Sequence, residues 1–282
     1  MKHHRRRSVA LPVVALTLLA GAFQAPMPTA SAAADHAGAD YSGYATSTPV
    51  HVDAIETADT RVVDVEEAFS GAAVASKGLS EIKNEMARVV NGASDKKSSA
   101  RGTALEVGLV HAPSADNQII LKGLAQASSP PSPSHDEQQI GPIQLNPIAY
   151  ASLLKSTADT RWKDNSCVLG NDISKGYAYA ADAQLVNLGG ANGDGTFQGP
   201  VAATDIPPEN VTDSVSRTRL VPNGAGDFGL MSETRQIVAP VTLLRGTGAE
   251  IKVKVAGTWV LRAIAGGVPG SASVHYGPQN VS

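Results

Sequence analysis

The chain has 282 residues, of which 42% are hydrophobic, 17% are charged and only 4% are aromatic. The hydrophobic fraction is sufficient for a packed core, so the composition excludes a wholly disordered chain. The 27 glycines and 17 prolines, with so few aromatic residues, favour short strands and turns over large helical bundles. The length allows one large domain or two small ones.

The first 32 residues have the pattern of a secretory signal peptide. Lys2 and Arg5–Arg7 give a positive start, and a run of fifteen uncharged residues follows from Val9 to Phe23. Ala30-Ser31-Ala32 offers the small side chains that a signal peptidase requires. The run is shorter than the ~20 residues that cross a bilayer, so we predict cleavage after Ala32 and export of the mature chain.

The mature chain is predicted to be acidic. Removal of the four cations in the first 32 residues leaves 19 basic and 26 acidic residues, a net charge of −7. Such a chain is not suited to releasing counterions from a phosphate backbone, so we expect no nucleic-acid partner. No later segment is long and apolar enough to span a bilayer, and we therefore expect a secreted or envelope-associated protein without a transmembrane segment in its mature part.

Period-two alternation in the first half predicts a mainly β protein of antiparallel, sandwich-like modules with one or two short helices. Val50–Ile55 and Val62–Phe69 are predicted to form a pair of strands, and a further strand is expected at Leu105, Val107 and Leu109. Small alanines on these faces let two sheets approach closely, which favours a sandwich.

Helical spacing interrupts this pattern in one segment, at Leu79, Ile82, Met86, Val89 and Val90. We predict a short helix there that ends at Asn91-Gly92. A second short helix is expected at Ile148–Leu154.

Alternation returns in the last third of the chain. Tyr177–Leu185 is predicted to be one long strand. Ile237–Leu243, Ile251–Val255 and Trp259–Ala263 are predicted to be three antiparallel strands in a row, joined by turns at Gly246–Gly248 and at Gly257.

The clearest break in composition is Ser128–Gln139, which is rich in proline and serine and has nothing that packs a core. It is either an interdomain linker or a long surface loop. The predicted organisation is a signal peptide at 1–32, an N-terminal β-rich module at 33–127, this linker or loop at 128–142 and a C-terminal β-rich module at 143–282.

Motifs that carry chemistry are absent from the sequence: we find no nucleophile elbow, no zinc-binding histidine pair and no phosphate-binding glycine-lysine loop. We therefore assign no catalytic, cofactor-binding or metal-binding residue and expect no cofactor. His51 and Asp53 would share a strand face about 7 Å apart, close enough to act together on a metal or a proton. A solvated strand face explains the same two residues.

Three other features have both a functional and a structural interpretation. Asn192–Gly195 resembles part of a calcium loop, but Asn-Gly and Asp-Gly are also ordinary turn dipeptides. Trp162, between Arg161 and Lys163, either forms a ligand platform or caps the core. The single Cys167 is a free thiol, a buried small hydrophobe or half of an intermolecular pair.

Several runs resemble the actinobacterial secreted choice-of-anchor P family. They include Tyr41–Thr46, Lys122–Pro131, Arg161–Leu169, Ser232–Val241 and Trp259–Ala263 with Val274–Pro278, and together they cover nearly all of the mature chain. The resemblance implies an exported, envelope-associated protein, and it implies no catalytic or binding residue. The chain stops where similar proteins continue to an anchor, so we expect a C-terminal module that is truncated.

These observations favour a non-enzymatic structural or interaction module of the cell envelope or the medium, with a cell-wall or surface protein as partner. Two alternatives stay open: a secreted hydrolase acting on cell-wall polymer, with His51 and Asp53 in its site, and a calcium-stabilised adhesive module.

Overall fold

A computed structural model describes residues 40–56, 61–111, 118–145, 149–162, 171–187, 200–204, 211–222, 228–243, 250–255, 257–267 and 269–278. The signal peptide predicted for residues 1–32 lies outside them. The described residues are mainly strands in antiparallel sheets, with very little helix. The predicted fold class of antiparallel, sandwich-like sheets with short helices is confirmed.

The first sheet has five strands from the N-terminal part of the chain, in the order β1-β3-β4-β5, with β2 beside β1 on the same edge of β3. The strands are β1 (Ser42–Ser47), β2 (Val50–Glu56), β3 (Arg61–Ala75), β4 (Ser98–His111) and β5 (Gln118–Ser129). The predicted pairing of β2 with β3 is confirmed, and β4 contains the strand predicted at Leu105–Leu109.

The second sheet has seven strands in the order β18-β17-β14-β13-β10-β9-β6. They are β6 (Ser134–Ile140), β9 (Leu153–Thr160), β10 (Asp172–Ala181), β13 (Val211–Pro222), β14 (Phe228–Ile237), β17 (Trp259–Ala265) and β18 (Ser273–Pro278).

The third sheet has six short strands in the order β16-β15-β12-β11-β8-β7. They are β7 (Ile143–Leu145), β8 (Ala149–Ala151), β11 (Gln184–Asn187), β12 (Pro200–Thr204), β15 (Val241–Leu243) and β16 (Ile251–Val253).

The six-stranded sheet continues the seven-stranded one. Each of its strands directly precedes or follows, in the chain, a strand of the larger sheet, and the lateral order is the same in both. One such junction is Asp182, whose φ of 51° breaks the long strand predicted at Tyr177–Leu185 into β10 and β11. Another is Val238–Pro240, between β14 and β15.

This continuity corrects the prediction of three antiparallel strands in a row. β15 does pair with β16, as predicted. However, β17 does not fold back on β16 at Gly257; it pairs with β14 and β18 in the larger sheet. The chain therefore passes from one sheet into the next near Gly257, and its alternation continues without a reversal of direction.

The five-stranded sheet packs face to face on the other two through very small side chains. A Cβ atom added to Gly176 of β10 would lie 2.5 Å from the carbonyl oxygen of Gly71 in β3, and it would also overlap the carbonyl of Arg101. Gly102 of β4 meets the carbonyl of Tyr177 in the same way. The two backbones therefore contact each other directly, as the alanine-rich sequence led us to expect.

Hydroxyl groups replace apolar side chains in much of this interface. The Ser70 and Ser216 hydroxyls lie 2.8 Å apart between the sheets, and Ser174 and Thr218 are paired at 2.6 Å within the larger sheet. Each of these groups is fully buried. Because the hydroxyls are hydrogen-bonded, their burial is compatible with a stable interior.

Ala68 of β3 has a φ of 59°, and this bend changes which residues of the strand face the core from odd-numbered to even-numbered positions. Before it Val65 faces the core, whereas after it Ser70 and Val74 do. Gly123 of β5 has a φ of 61° at the corresponding level. The carbonyl oxygens exposed by the two bends accept hydrogen bonds from serines of the facing sheet, Ala68 from Ser214 and Gly123 from Ser156.

The outer face of the five-stranded sheet is partly covered by a segment that we call the covering segment, Leu79–Val90. It consists of a 3-10 turn (Leu79–Ile82), a further turn and the short helix α1 (Ala87–Val90). Its apolar side chains pack on Phe69 and Ala73 of β3. The predicted helix is thus present as two short pieces, and it ends at Asn91-Gly92, where Gly92 has a φ of 73°.

Two further predictions fall on strands. Ser134–Ile140, in the segment predicted as linker or long loop, forms β6 and pairs with β9. The second helix predicted at Ile148–Leu154 is wrong: Ala149–Ala151 is β8, and Leu154 belongs to β9. Burial alternates within each strand, at Ala149 and Ala151 in β8 and at Leu154, Ser156 and Ala158 in β9, and this explains the strand state. In the described part of the chain, no helix has the length and apolar content needed to cross a bilayer.

Candidate functional site

One row of charged and imidazole side chains crosses the outer face of the seven-stranded sheet; we call it the charged row. Strand pairing places its members directly opposite one another in the order His135, Asp159, Lys175, Arg217, Glu233, Arg262 and His275. Directly opposite Cβ atoms in antiparallel strands lie about 5 Å apart, so the row is continuous across the sheet.

Glu233 sits near the middle of the charged row between two arginines. Arg217 Nε donates to Glu233 Oε1 at 2.7 Å, and Arg262 Nε donates to Glu233 Oε2. Glu233 is only 4% exposed because the two guanidinium groups cover it. This part of the row therefore carries one more positive charge than negative charge.

At the other end of the charged row, the ion pairs are open to water. His135 Nδ1 lies 2.7 Å from Asp159 Oδ1, and the His135 side chain is 58% exposed. In the next position along the same strands, Lys155 Nζ lies 2.8 Å from Glu137 Oε1. Exposed pairs of this kind contribute little to folding, so these charges remain available to a partner.

A pocket of about 260 Å³ opens beside the charged row; we call it the basic pocket. It is lined by four cations, two carboxylates and one amide, namely Arg161, Lys175, Arg217, Arg219, Asp159, Asp172 and Asn171. Its net charge is +2 although the whole chain is acidic. Among the described residues that line it, none is a serine, cysteine or histidine, so the lining offers binding groups and no conventional nucleophile.

Burial raises the pKa of two titratable groups on the same outer face. Desolvation, with a contribution from the nearby Asp213 carboxylate, raises the pKa of Tyr177 to about 12. Desolvation also raises the pKa of Asp213, and Arg235 opposes that shift. Tyr177 therefore stays a neutral phenol at physiological pH and does not act as a base.

The opposite outer face carries a compact cluster under the covering segment. Arg88 donates from Nη1 to Glu66 at 2.5 Å and from Nη2 to Glu106 at 2.6 Å, and its guanidinium carbon lies 3.6 Å from the centre of the Phe69 ring. Arg101 Nη2 adds a bond to Glu106 at 3.2 Å. Burial lowers the pKa of Arg101, and Glu106 opposes this shift.

His51 lies on this face and contacts a described carboxylate of the neighbouring strand. His51 Nε2 lies 2.7 Å from Asp64 Oδ1, on the neighbouring strand β3. Asp53 is paired in register with Asp64, and its side chain lies outside the described part of the structure. Ligand atoms of His51, Asp64 and Glu66 all lie within 4.8 Å of one another, but Glu66 is already bound by Arg88.

A buried carboxyl group lies between the sheets, directly before the bend at Ala68. Glu67 is 0% exposed, and desolvation raises its pKa from 4.5 to about 8. The hydroxyl of Thr212 is near enough to lower the pKa slightly, yet neither carboxyl oxygen completes a hydrogen bond to a described residue. The absence of a completed bond agrees with the size of the shift, and Glu67 is therefore protonated at neutral pH.

The remaining predicted features have different outcomes. Trp162 is 8% exposed and packs with Val74, Ile173 and Leu220, so the core interpretation is confirmed. Cys167 and Asn192–Gly195 lie outside the described residues, and their roles stay predictions.

Sequence reasoning did not single out Lys175, Arg217 or Arg219. The available signal was their alternation with small or hydroxyl residues, Gly176 after Lys175 and Thr218 between the two arginines. That pattern predicts outward-facing cations, but the strand order that brings β10 beside β13 is not readable from the sequence.

No protein-family model matches the sequence, and no curated protein or solved structure does.

Proposed function

We propose that this chain is an exported, non-enzymatic interaction module of the cell envelope or the medium, which contacts its partner through the outer face of the seven-stranded sheet. The observation that carries the proposal is the charged row with its adjoining basic pocket. Exposed ion pairs on the face of a sheet contribute little to stability. They provide electrostatic complementarity, which increases association rates and selects among partners.

Export follows from the signal-peptide pattern of the first 32 residues, and an envelope location follows from the resemblance to choice-of-anchor P proteins. Under this proposal the mature chain begins at Ala33. N-terminal sequencing of the chain recovered from the medium or envelope of a secreting bacterial host tests the first statement. A mature chain that begins at Met1 would contradict export by cleavage.

The binding proposal is tested by sedimenting the purified, processed chain with isolated envelope fragments. We expect retention that decreases with added salt, because the contacts are electrostatic. Arg235→Glu places a negative charge on the exposed outer face of β14 and should reduce retention. Lys83→Glu, in the covering segment on the opposite side, is the matched control and should be retained as well as the unchanged chain.

Two results would overturn the proposal. The first is absence of retention at low salt, and the second is equal loss of retention in both variants. Turnover of glycan, peptide or ester substrates would replace binding by catalysis as the function.

A secreted hydrolase acting on cell-wall polymer is the second candidate, favoured by the 2.7 Å contact between His51 and Asp64. A histidine paired with a carboxylate is a common general base. The test is hydrolysis of purified wall polymer by the unchanged chain and by His51→Ala. Turnover that the substitution abolishes would establish the hydrolase, and absence of turnover in the unchanged chain would remove it. The calcium-stabilised alternative depends on Asn192–Gly195, and a melting temperature that is unchanged by calcium and by chelator would remove it.

A further inference from the structure

The basic pocket holds like charges close together without full compensation. Lys175 and Arg217 are directly opposite each other on β10 and β13. Like charges in this position are destabilising in a sheet. Asp159 is opposite Lys175 on the other side, but one of its oxygens already contacts His135. An anion placed between the cations would relieve this repulsion.

The cations of the pocket differ in how far they are already engaged. Arg217 is bound to Glu233 through Nε and Nη2. In contrast, Arg161, Lys175 and Arg219 form no ion pair or side-chain hydrogen bond with a described residue, and the Nε of Arg219 is buried without an acceptor. Three positively charged side chains therefore present unused donors to one small space.

The geometry of these donors favours an oxyanion with several acceptor oxygens. The planar guanidinium fork of arginine matches phosphate, and lysine adds a compact positive charge. A volume of about 260 Å³ lies just below the usual range for ligands of drug size. The pocket therefore fits one phosphate group and a short attached fragment.

The two carboxylates indicate what that fragment contains. Asp172 is paired in register with Arg219 at the end of β10, and Asp159 has one oxygen that is not bound by His135. Ionised carboxylates only accept hydrogen bonds, so beside an anion they require donor groups on the ligand. Hydroxyl groups next to a phosphate meet both requirements.

We propose that the basic pocket binds the phosphate ester of a polyol or sugar, either as a free small molecule or as one unit of a polymer. This inference rests on the proposed binding function and names the ligand class for the same surface. The phosphate contacts Lys175, Arg219 and Arg161, and the hydroxyl groups of the polyol contact Asp172 and Asp159.

The experiment is isothermal titration calorimetry of the processed chain with four probes: inorganic phosphate, glycerol 3-phosphate, glycerol and poly(glycerol phosphate). We expect binding of the three phosphate-containing probes and none of glycerol. Poly(glycerol phosphate) that binds more tightly per phosphate than glycerol 3-phosphate identifies a polymer as the source, and equal affinity identifies a free ester. Either result supports the ligand class, whereas absence of binding of every phosphate probe overturns it.

Variants separate the two halves of the site. Lys175→Gln and Arg219→Gln should each lower the affinity for glycerol 3-phosphate about tenfold, because each removes one charge-assisted contact. Asp172→Asn removes a negative charge beside the phosphate and replaces one acceptor oxygen by a donor, so it should strengthen binding of inorganic phosphate more than binding of glycerol 3-phosphate. Equal behaviour of the two probes in Asp172→Asn would overturn the polyol assignment, and unchanged affinity in Lys175→Gln would overturn the phosphate site.

Lys83→Glu is the control and should bind all probes as the unchanged chain does. The melting temperature of each variant is measured alongside. If Arg219→Gln fails to fold, Lys175→Gln, at a partly exposed position, tests the phosphate site in its place. Failure of this inference is distinguishable from failure of the proposed function. Retention on envelope fragments without phosphate binding overturns only the ligand class, whereas loss of both overturns the two together.

Discussion

Residues alternate between inward and outward positions on both sheets of this sandwich, but the outward charged side chains differ in their exposure to solvent on the two outer faces. On the five-stranded sheet, Arg101 is 6% exposed, and Arg88 of the covering segment above it is 29% exposed; glutamates of the sheet bind both. On the seven-stranded sheet, His135 and Arg262 are 58% and 40% exposed in the charged row. Alternation decides which side chains leave the core. A covering segment, or flanking arginines in the case of Glu233, then decides how far those side chains are exposed to solvent.

We expect the largest loss of stability from a change where the two sheets contact each other, because both sheets depend on that contact. Gly176→Ala would place a Cβ atom 2.5 Å from the carbonyl oxygen of Gly71, and a backbone group cannot move aside easily. We expect a loss of about 5 kcal/mol or failure to fold. Gly141→Ala, with nothing within 4 Å of its added Cβ, is the control and should stay close to the unchanged chain. Urea unfolding measures both.

The next effect concerns the buried carboxyl of Glu67. Its pKa is raised from 4.5 to about 8, so stability is complete below pH 4.5 and decreases as the pH rises toward 8. The decrease should reach about 4 kcal/mol, the cost of ionising the group in the core. Glu67→Gln should abolish this pH dependence, whatever its constant effect on stability.

The readout for Glu67 is the difference in unfolding free energy between pH 4.5 and pH 8.5. Glu137→Gln, on the exposed strand β6, is the control and should keep the decrease of the unchanged chain. An identical decrease in Glu67→Gln would show that another group is responsible.

A smaller effect is expected at the covering segment. Leu79, in the 3-10 turn, is 0% exposed, and Leu79→Ala should cost about 3 kcal/mol of unfolding free energy through lost burial and the cavity left behind. Ile251→Ala removes an apolar side chain that is 53% exposed and should cost less than about 0.5 kcal/mol. Comparable costs at the two positions would mean that the segment does not cover the sheet as described.

The smallest effect belongs to the open face. His135→Ala removes the contact with Asp159, and we expect a change in stability of less than about 1 kcal/mol. Arg88→Ala leaves two glutamates under the covering segment without this donor. It should lower the unfolding free energy by about 2 kcal/mol in the same urea measurement. A larger cost for His135→Ala than for Arg88→Ala would reverse the comparison between the two faces.

Local alternation was enough to predict strands, because a strand that buries one side has apolar residues at every second position of its sequence. It identified β2, β3 and β4 and the mainly β class. It failed between Ile251 and Ala263, where one period runs through two strands of different sheets. The long strand predicted at Tyr177–Leu185 failed for a related reason: the backbone turn at Asp182 leaves no mark in hydrophobicity.

The charged surfaces could be predicted only in part. Outward positions such as Lys175 follow from alternation, but the partner of each charge depends on strand order and register. His51 illustrates this limit: its contact with Asp64 joins two strands, and no local pattern in the sequence indicates it. The basic pocket joins residues from β9, β10 and β13, so no local motif announces it.

The bend at Ala68 has a consequence for how this sheet can gain or lose residues. Ala68, Ala104 and Gly123 occupy one level across β3, β4 and β5, and each is an extra residue between two stretches of regular alternation. Deleting one of them alone would displace its strand by about 3.3 Å against its neighbours. Deleting all three together would keep β3, β4 and β5 in register with one another, at the cost of the carbonyl acceptors of Ser214 and Ser156. Length changes at this level are therefore least disruptive as a coordinated set.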